Sequence, residues 1–256
     1  MELRIIGAHN CETRDARLTS FLIDGRLAID AGGLTSSLTI EEQQAIRSIL
    51  ITHHHFDHIR DLATLGMNMF ARGTVDVYAT QSVLDTISSY LFDGVLYVEF
   101  HRKPSPERPA FSLRPIEPDK EVAIEGYMVL PLKVKHVIPT VGYQITSPEG
   151  RALFYTGDTG SGLADVWKLV SPDLLLIEVT VPEQYRKAAE DHGHLSPQLL
   201  REELLSFRQI RGYLPPVITV HMSPHIEEDI RKEVSQVAAD IGADIMMGYE
   251  GMRVVL

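Results

Sequence analysis

Four side chains of the kinds that bind metals stand close together between residues 53 and 58. They follow a short apolar run in the pattern His-x-His-x-Asp-His, as His53, His55, Asp57 and His58. Side chains alternate between the two faces of an extended segment, so the first three should project to one side. His58 joins them if the chain turns into a helix at that point. Packing does not require three imidazoles and a carboxylate in six positions, and the pattern therefore predicts a metal site.

The other candidate residues each stand where a predicted strand ends. They are Asp30, His136, Asp158 and His221. Binding and catalytic residues concentrate at strand ends, where a rigid scaffold meets solvent. The set offers nitrogen and oxygen ligands and no thiolate, which suits zinc, iron or manganese. We expect His9, His54, His101 and His225 to stay outside the site, with His54 facing away and the others lacking partners.

Composition narrows the class of protein. The chain has 256 residues, 44% of them hydrophobic, and one α/β domain over residues 1–256 is expected. A net charge of −11 argues against a protein that coats nucleic acid. It does not exclude a phosphate substrate, because bound divalent metals can dominate the local electric field. The single cysteine, Cys11, is expected to be buried or half-buried and excludes an internal disulfide. With neither a signal peptide nor a membrane span in the sequence, a cytoplasmic location is expected.

The rest of the chain alternates between predicted strands and helices. Strands are predicted at Leu3–Ile6, Ser20–Ile23, Leu27–Asp30, Ser48–Ile51, Val75–Tyr78, Val122–Ile124, Met128–Val134, Val141–Thr146, Ala152–Tyr155, Leu174–Val179, Val217–Val220, Asp244–Met246 and Arg253–Val255. Helices are predicted at Thr39–Ile46, Ile59–Phe70, Thr80–Leu91, Leu163–Val170, Pro197–Phe207 and Ile226–Ile241. Residues 93–120 are rich in proline and charge and are predicted to be irregular, either as a solvated loop or as a lid. Antiparallel strands followed by strand–helix alternation occur twice, which predicts two packed sheets with helices outside.

Taken together, these motifs resemble those of the metallo-β-lactamase superfamily. The resemblance implies an αββα sandwich with two divalent metal ions in the cleft between the sheets, zinc being favoured and manganese or iron the alternatives. It makes His53, His55 and His136 the ligands of one ion, and Asp57, His58 and His221 those of the other. Asp158 would bridge the two ions, since an aspartate there, unlike a cysteine or serine, permits a two-metal site. Asp30 would orient a ligand imidazole.

Two further residues are similar to a pair found in the phosphodiesterase branch of this superfamily. Glu178 and His194 resemble its Glu…His arrangement, in which the histidine handles the leaving-group oxygen or binds phosphate. The alternative is that His194 is an ordinary loop residue before the helix that begins at Pro197. The branch includes RNase Z-like tRNA processors and class II cyclic-nucleotide phosphodiesterases. The tRNA enzymes insert a long arm between the residues equivalent to His136 and Asp158, and this chain has no room for one.

The sequence therefore favours a metal-dependent phosphodiesterase that acts on a cyclic nucleotide or a similar small diester. Asp57 would orient the attacking water and His194 would protonate the leaving oxygen. The alternatives are an RNase Z-like nuclease, a thioester or lactone hydrolase on the same site, and a di-iron redox or oxygen-sensing protein. The expected partner is a small phosphodiester, with no membrane and no stable nucleic-acid partner; a homodimer is left open.

Overall fold

The computed structural model describes residues 1–256 and is built on sixteen strands. In chain order they are β1 (Glu2–Gly7), β2 (Ser20–Ile23), β3 (Leu27–Ile29), β4 (Ser48–Leu50), β5 (Val75–Ala79), β6 (Pro104–Ser105), β7 (Arg108–Pro109), β8 (Phe111–Pro115), β9 (Val122–Ile124), β10 (Tyr127–Val134), β11 (Thr140–Thr146), β12 (Ala152–Tyr155), β13 (Leu174–Glu178), β14 (Val217–Val220), β15 (Ile245–Met247) and β16 (Arg253–Val255).

Eight α-helices connect or cover these strands. They are α1 (Leu34–Ser37), α2 (Ile40–Ala45), α3 (Phe56–Met69), α4 (Gln81–Thr86), α5 (Ala164–Trp167), α6 (Arg186–His192), α7 (Pro197–Arg211) and α8 (Glu227–Ile241). A π-helical turn at Ile87–Leu91 continues α4, and 3₁₀ turns occupy Glu183–Tyr185 and Pro224–Ile226. None of the helices is both long enough and apolar enough to span a bilayer.

The strands form two seven-stranded sheets and one small two-stranded ribbon. The first sheet has the order β16-β1-β2-β3-β4-β5-β8, and the second has the order β15-β14-β13-β12-β11-β10-β9. Strands β3, β4, β5 and β8 are parallel neighbours, as are β12 to β15. Strand β11 is antiparallel to both β10 and β12, so these two run in the same direction. Within each sheet, the carboxyl ends of these co-directional strands therefore meet at one edge, where a site can form.

Alternating side chains give each sheet two apolar faces. Phe21 and Ile23 on β2 belong to the core that holds the two sheets together, whereas Leu22 between them packs with α3 residues such as Leu62 and Leu65. On the far side, α7 and α8 pack against the second sheet through residues such as Leu200. Two sheets face to face with helices outside confirm the αββα sandwich.

The predicted and observed elements differ most between residues 93 and 120. The prediction that this segment is irregular is wrong for Phe111–Pro115, which forms β8 and pairs in parallel with β5, Val75 opposite Phe111. It is also wrong for the two-residue strands β6 and β7, which pair with each other. Phe111 is fully buried. A proline is tolerated here because β8 is an edge strand. Whether the remainder of the segment acts as a lid stays a prediction.

Two short helices were not predicted, and α5 and α7 differ clearly in length from their predictions. Helices α1 and α6 have four and seven residues, too few for a clear apolar period. The helix predicted at Leu163–Val170 is reduced to a single turn, α5, while α7 continues past its predicted end to Arg211, where Gly212 in the left-handed conformation ends it.

His9 lies between two glutamates, so the expectation that it lacks partners is wrong. Its Nδ1 is 2.7 Å from Glu250 Oε1, and its Nε2 is 3.1 Å from Glu227 Oε2. The same Glu250 oxygen accepts hydrogen bonds from the backbone N–H groups of Arg17 and Ala8. Burial by itself would lower the pKa of His9, but the hydrogen bonds and charges of the two glutamates outweigh it and raise the pKa above 6.5.

We expect Glu250→Gln to lower the free energy of unfolding by about 1–3 kcal/mol near pH 5.5 and by less near pH 9. Because folding raises the pKa of His9, its contribution is complete below the unfolded value of 6.5 and is lost as pH rises through the folded value. The pKa of Glu250 is lowered, since His9 and the backbone of Arg17 outweigh burial. Its contribution is therefore complete above 4.5 and is lost as pH falls through the folded value.

Urea unfolding at both pH values measures this difference. Glu117→Gln is the control, because Glu117 is exposed and pairs only with exposed Lys120. If Glu250→Gln lowered the free energy of unfolding equally at the two pH values, the assignment of His9 and Glu250 as a charge pair would be contradicted.

Candidate metal centre

The His-x-His-x-Asp-His segment turns from extended backbone into helix α3. His55 is the N-cap residue with β-region dihedral angles, and α3 begins at Phe56, three residues earlier than predicted. Asp57 lies in the first turn, where a negative charge interacts favourably with the helix dipole. His53 and His58 are completely buried. The turn into the helix brings His58 to the same side as His53 and Asp57.

The structure brings all seven predicted ligands together in two groups that share Asp158. The ligand atoms of each group lie within 4.8 Å of one another: His53, His55, His136 and Asp158 in the first, and Asp57, His58, Asp158 and His221 in the second. Asp158 Oδ2 is 3.6 Å from His53 Nε2 and 3.2 Å from His221 Nε2. Its Oδ1 is 3.3 Å from His58 Nε2. One carboxylate thus faces both groups, which is the geometry a bridging ligand needs.

The donor atoms fit a pair of divalent cations. His58 Nε2 and Asp158 Oδ1 are buried and make no hydrogen bond, which is costly for polar atoms unless they share another ligand. His53 Nε2 and His136 Nε2 lie 3.1 Å and 3.2 Å from the same atom, His55 Nδ1. Nitrogen atoms that converge in this way offer lone pairs to one central cation.

Charge at the site agrees with this reading. Burial, together with the charge of His58, lowers the pKa of His53 well below 6.5, and burial also lowers the pKa values of His55 and His136. Neutral imidazole is the form that binds metals. For Asp57, burial would raise the pKa, but His58 and His221 outweigh it and lower the pKa to about 2. His58 differs, because burial would lower its pKa but the charges of Asp158, Asp30 and Asp57 outweigh burial and raise the pKa well above 6.5, so a metal ion there would have to displace a proton.

Asp30 and Thr52 fix the orientation of the buried imidazoles. Asp30 Oδ2 is 2.8 Å from His58 Nδ1, and Asp30 Oδ1 accepts hydrogen bonds from the backbone N–H and the hydroxyl of Thr52. The Thr52 hydroxyl is 3.0 Å from His53 Nδ1. Both Asp30 and His221 have positive φ angles, 56° and 64°. Such strained conformations persist where the surroundings enforce them, which is common at functional sites.

Glu178 and His194 form a pair beside the second group. His194 Nδ1 is 2.7 Å from Glu178 Oε1, and Glu178 is completely buried. The His194 ring stacks on that of His221, with ring centroids 5.4 Å apart. Burial would lower the pKa of His194, but Glu178 outweighs it and raises the pKa to about 9. Glu178, His194 and His221 also lie close enough to form a third group of candidate ligands.

A residue that the sequence did not single out connects this pair to the metal ligands. The Thr180 hydroxyl donates to Glu178 Oε2 at 2.7 Å and is 2.9 Å from His221 Nδ1. Its only signal in the sequence is its position two residues after Glu178. His54, His101 and His225 belong to none of the groups.

An open cavity of about 490 Å³ lies over the two groups. Its lining consists of Asn10, Cys11, Glu12, Leu18, His55, Phe56, Asp57, Asp158, His194 and His221, with no residue from the 93–120 segment. Cys11 is exposed on this wall, so the expectation that it is buried or half-buried is wrong. No residue pattern marks the segment Asn10–Glu12 as part of a site, because the tertiary fold alone brings it there.

The αββα sandwich with a cluster of histidines and aspartates at the shared edge of its sheets defines a hydrolase of the metallo-β-lactamase fold. The family model described as the beta-lactamase superfamily domain matches residues 21–245, and the chain belongs to this family. The resemblance noted from the sequence is confirmed.

Similar proteins differ in name and in length. The chain is 24% identical over 241 residues to a probable 3′,5′-cyclic-nucleotide phosphodiesterase of Yersinia pestis. The aligned region covers 82% of this chain and 68% of that protein. It is 29% identical over 213 residues to an octanoyltransferase of Porphyromonas gingivalis; this covers 83% of the chain but only 38% of that protein's length. The crystal structure of unliganded yeast PDE1 superposes with a TM-score of 0.85 at 18% identity, covering 100% of this chain and 99% of that one.

Proposed function

We propose that this protein is a dinuclear-metal phosphodiesterase whose substrate is a cyclic nucleotide or a similar small diester. The observation that carries the proposal is the His194–Glu178 pair, which stands 2.7 Å apart beside two groups of metal-binding side chains. Thioester hydrolysis does not require such a pair, because a thiolate leaves readily without a proton. The name of the Yersinia relative, a probable cyclic-nucleotide phosphodiesterase, points to the same class of substrate.

In this proposal the seven ligands hold two divalent ions, zinc in preference to manganese or iron. His53, His55 and His136 would hold one ion; Asp57, His58 and His221 would hold the other; Asp158 would serve both. When bound, two such ions would lower the pKa of a water and stabilise negative charge on a phosphoryl oxygen. Asp30 and Thr180 keep the imidazoles of His58 and His221 in the orientation that binding requires.

The chain's own residues then move the protons. Glu178 occupies the Nδ1 side of His194, which leaves Nε2 to face the substrate. His194 donates its Nε2 proton to the departing oxygen, and Glu178 stabilises the imidazolium that does so. Asp57, whose carboxylate is only partly buried, orients the attacking water opposite the leaving group.

Kinetics and elemental analysis test this function. The purified protein, loaded with zinc, manganese or iron in turn, is expected to hydrolyse bis-p-nitrophenyl phosphate and cyclic AMP or cyclic GMP. A thioester, a lactone and a precursor tRNA serve as comparison substrates for the other reactions known on this fold. The proposal fails if a protein that contains both ions turns over no phosphodiester.

Removing the metals should change stability as well as activity. Chelation is expected to reduce turnover to background and to lower the free energy of unfolding by about 2.7 kcal/mol for each ion removed, relative to protein in metal at 100 times the dissociation constant. The reason is that ions binding only the folded chain stabilise it, and that buried donor atoms among the seven ligands, such as His58 Nε2 and Asp158 Oδ1, have no partner without them. Differential scanning fluorimetry with and without added zinc measures the shift. An unchanged melting temperature would argue against a metal site formed by these residues.

A further inference from the structure

Phe56 places a large apolar ring at the edge of the metal centre. It is the first residue of α3, between His55 and Asp57, and it is 63% exposed although it lines the cavity. Single exposed aromatic residues are common and need no explanation. Here, however, Leu18 and Cys11 line the same cavity, so the ring has apolar neighbours there, beside the polar side chains of Asn10 and Glu12.

The backbone that carries this ring is rigid. Ala31 N–H donates to the carbonyl of His58 at 2.7 Å, and Asp61 N–H donates to the carbonyl of Ala31 at 2.8 Å. A Cβ atom on Gly32 would lie 1.9 Å from the carbonyl oxygen of Asp57, so the two backbones are in direct contact. The backbone at Phe56 is thereby fixed relative to the metal ligands, so a stacked ligand has only the side-chain rotamer of Phe56 to order.

The lining of the cavity offers no positive charge for a second phosphate. No lysine or arginine lines the cavity. Arg60, one turn beyond Phe56 on α3, is already held by Glu12, Asp61 and Ser36. A substrate therefore finds one place for a phosphate, at the metal centre, and the apolar side chains of Phe56, Leu18 and Cys11 for an uncharged part of the molecule.

We propose that Phe56 is a specificity-determining residue that stacks on the base of a nucleotide whose phosphate lies at the metal centre. This inference rests on the proposed function and adds to it a preference for a flat, uncharged ring over a second phosphate or a bare sugar. Stacking of a base on an aromatic side chain contributes about 5- to 100-fold to affinity, judged by substitution of the aromatic residue.

The test compares two ligands that differ only in the base. Dissociation constants of adenosine 5′-monophosphate and ribose 5-phosphate are measured by calorimetry for metal-loaded wild type, Phe56→Leu and Phe56→Trp. We expect Phe56→Leu to weaken the nucleotide about 5- to 100-fold and ribose 5-phosphate by less than about 2-fold, and Phe56→Trp to keep the preference. Phe70→Leu is the matched control at the other end of α3 and should keep the wild-type ratio.

Equal weakening of both ligands, an unchanged ratio in Phe56→Leu, or failure of wild type to bind the nucleotide would each overturn the inference. Turnover of bis-p-nitrophenyl phosphate by wild type is measured separately. If that turnover is absent while the Phe56-dependent preference remains, the proposed hydrolysis fails and the base-binding role of Phe56 stands.

Discussion

Asp158→Asn should lower kcat/KM for bis-p-nitrophenyl phosphate by about 10³-fold or more. The carboxylate is completely buried, and its oxygens lie within 4.0 Å of nitrogens of His53, His58, His136 and His221. Burial would raise its pKa, but His221 and His58 outweigh that effect and lower it well below 3.8. The asparagine keeps the shape but carries no charge and offers one oxygen instead of two. It cannot bridge two cations.

Metal content and rate should therefore fall together in this variant. Elemental analysis is expected to find the loss of at least one of the two ions, and steady-state kinetics to find the loss of turnover. Asp165→Asn is the control, since Asp165 is exposed and pairs only with Lys168 on the surface. Wild-type activity in Asp158→Asn with a full complement of both ions would exclude a bridging role for Asp158.

His194→Ala should lower the rate on a cyclic nucleotide by about 10²- to 10⁴-fold, the usual contribution of a general acid. The same variant should lose far less on bis-p-nitrophenyl phosphate, because p-nitrophenolate departs without needing a proton. Glu178→Gln should also lose more rate on the cyclic nucleotide than on bis-p-nitrophenyl phosphate, with a smaller loss than in His194→Ala. It weakens the contact that orients His194 and stabilises its charged form.

The ratio of rates on the two substrates separates acid catalysis from simple structural damage. His192→Ala is a matched control, since His192 is exposed at the end of α6 and bonds only the carbonyl of Ala188. An equal loss on both substrates in His194→Ala would contradict a role of His194 in proton transfer.

The fold and the ligand cluster can be predicted from the sequence where short stretches of it carry the pattern. His53, His55, Asp57 and His58 stand in one short segment. Asp30, His136, Asp158 and His221 each stand near the end of a strand that is visible in the sequence. The structure adds that these strands are co-directional within each sheet, which brings the residues to one edge.

The features that sequence analysis missed depend on long-range contacts. His9 is partnered by Glu227 and Glu250, which are 218 and 241 positions away. Cys11 is exposed because the loop after β1 forms one wall of the cavity, a position that its neighbours in sequence do not determine. Strand β8 is recognisable only through β5, its parallel partner. In each case the relevant energy comes from residues far away along the chain.

Because the strands share a direction, the candidate metal ligands lie at one edge of the sheets and several tight turns lie at the opposite edge. The turns between β2 and β3, β9 and β10, and β11 and β12 lie at the edge opposite the candidate metal centre. Gly25, Gly126 and Gly150 in these turns have positive φ angles and open space around them. That edge is accordingly where a purification tag, a fluorophore or a fused domain can be inserted without reaching the ligands, as exposed turns accept added residues most readily.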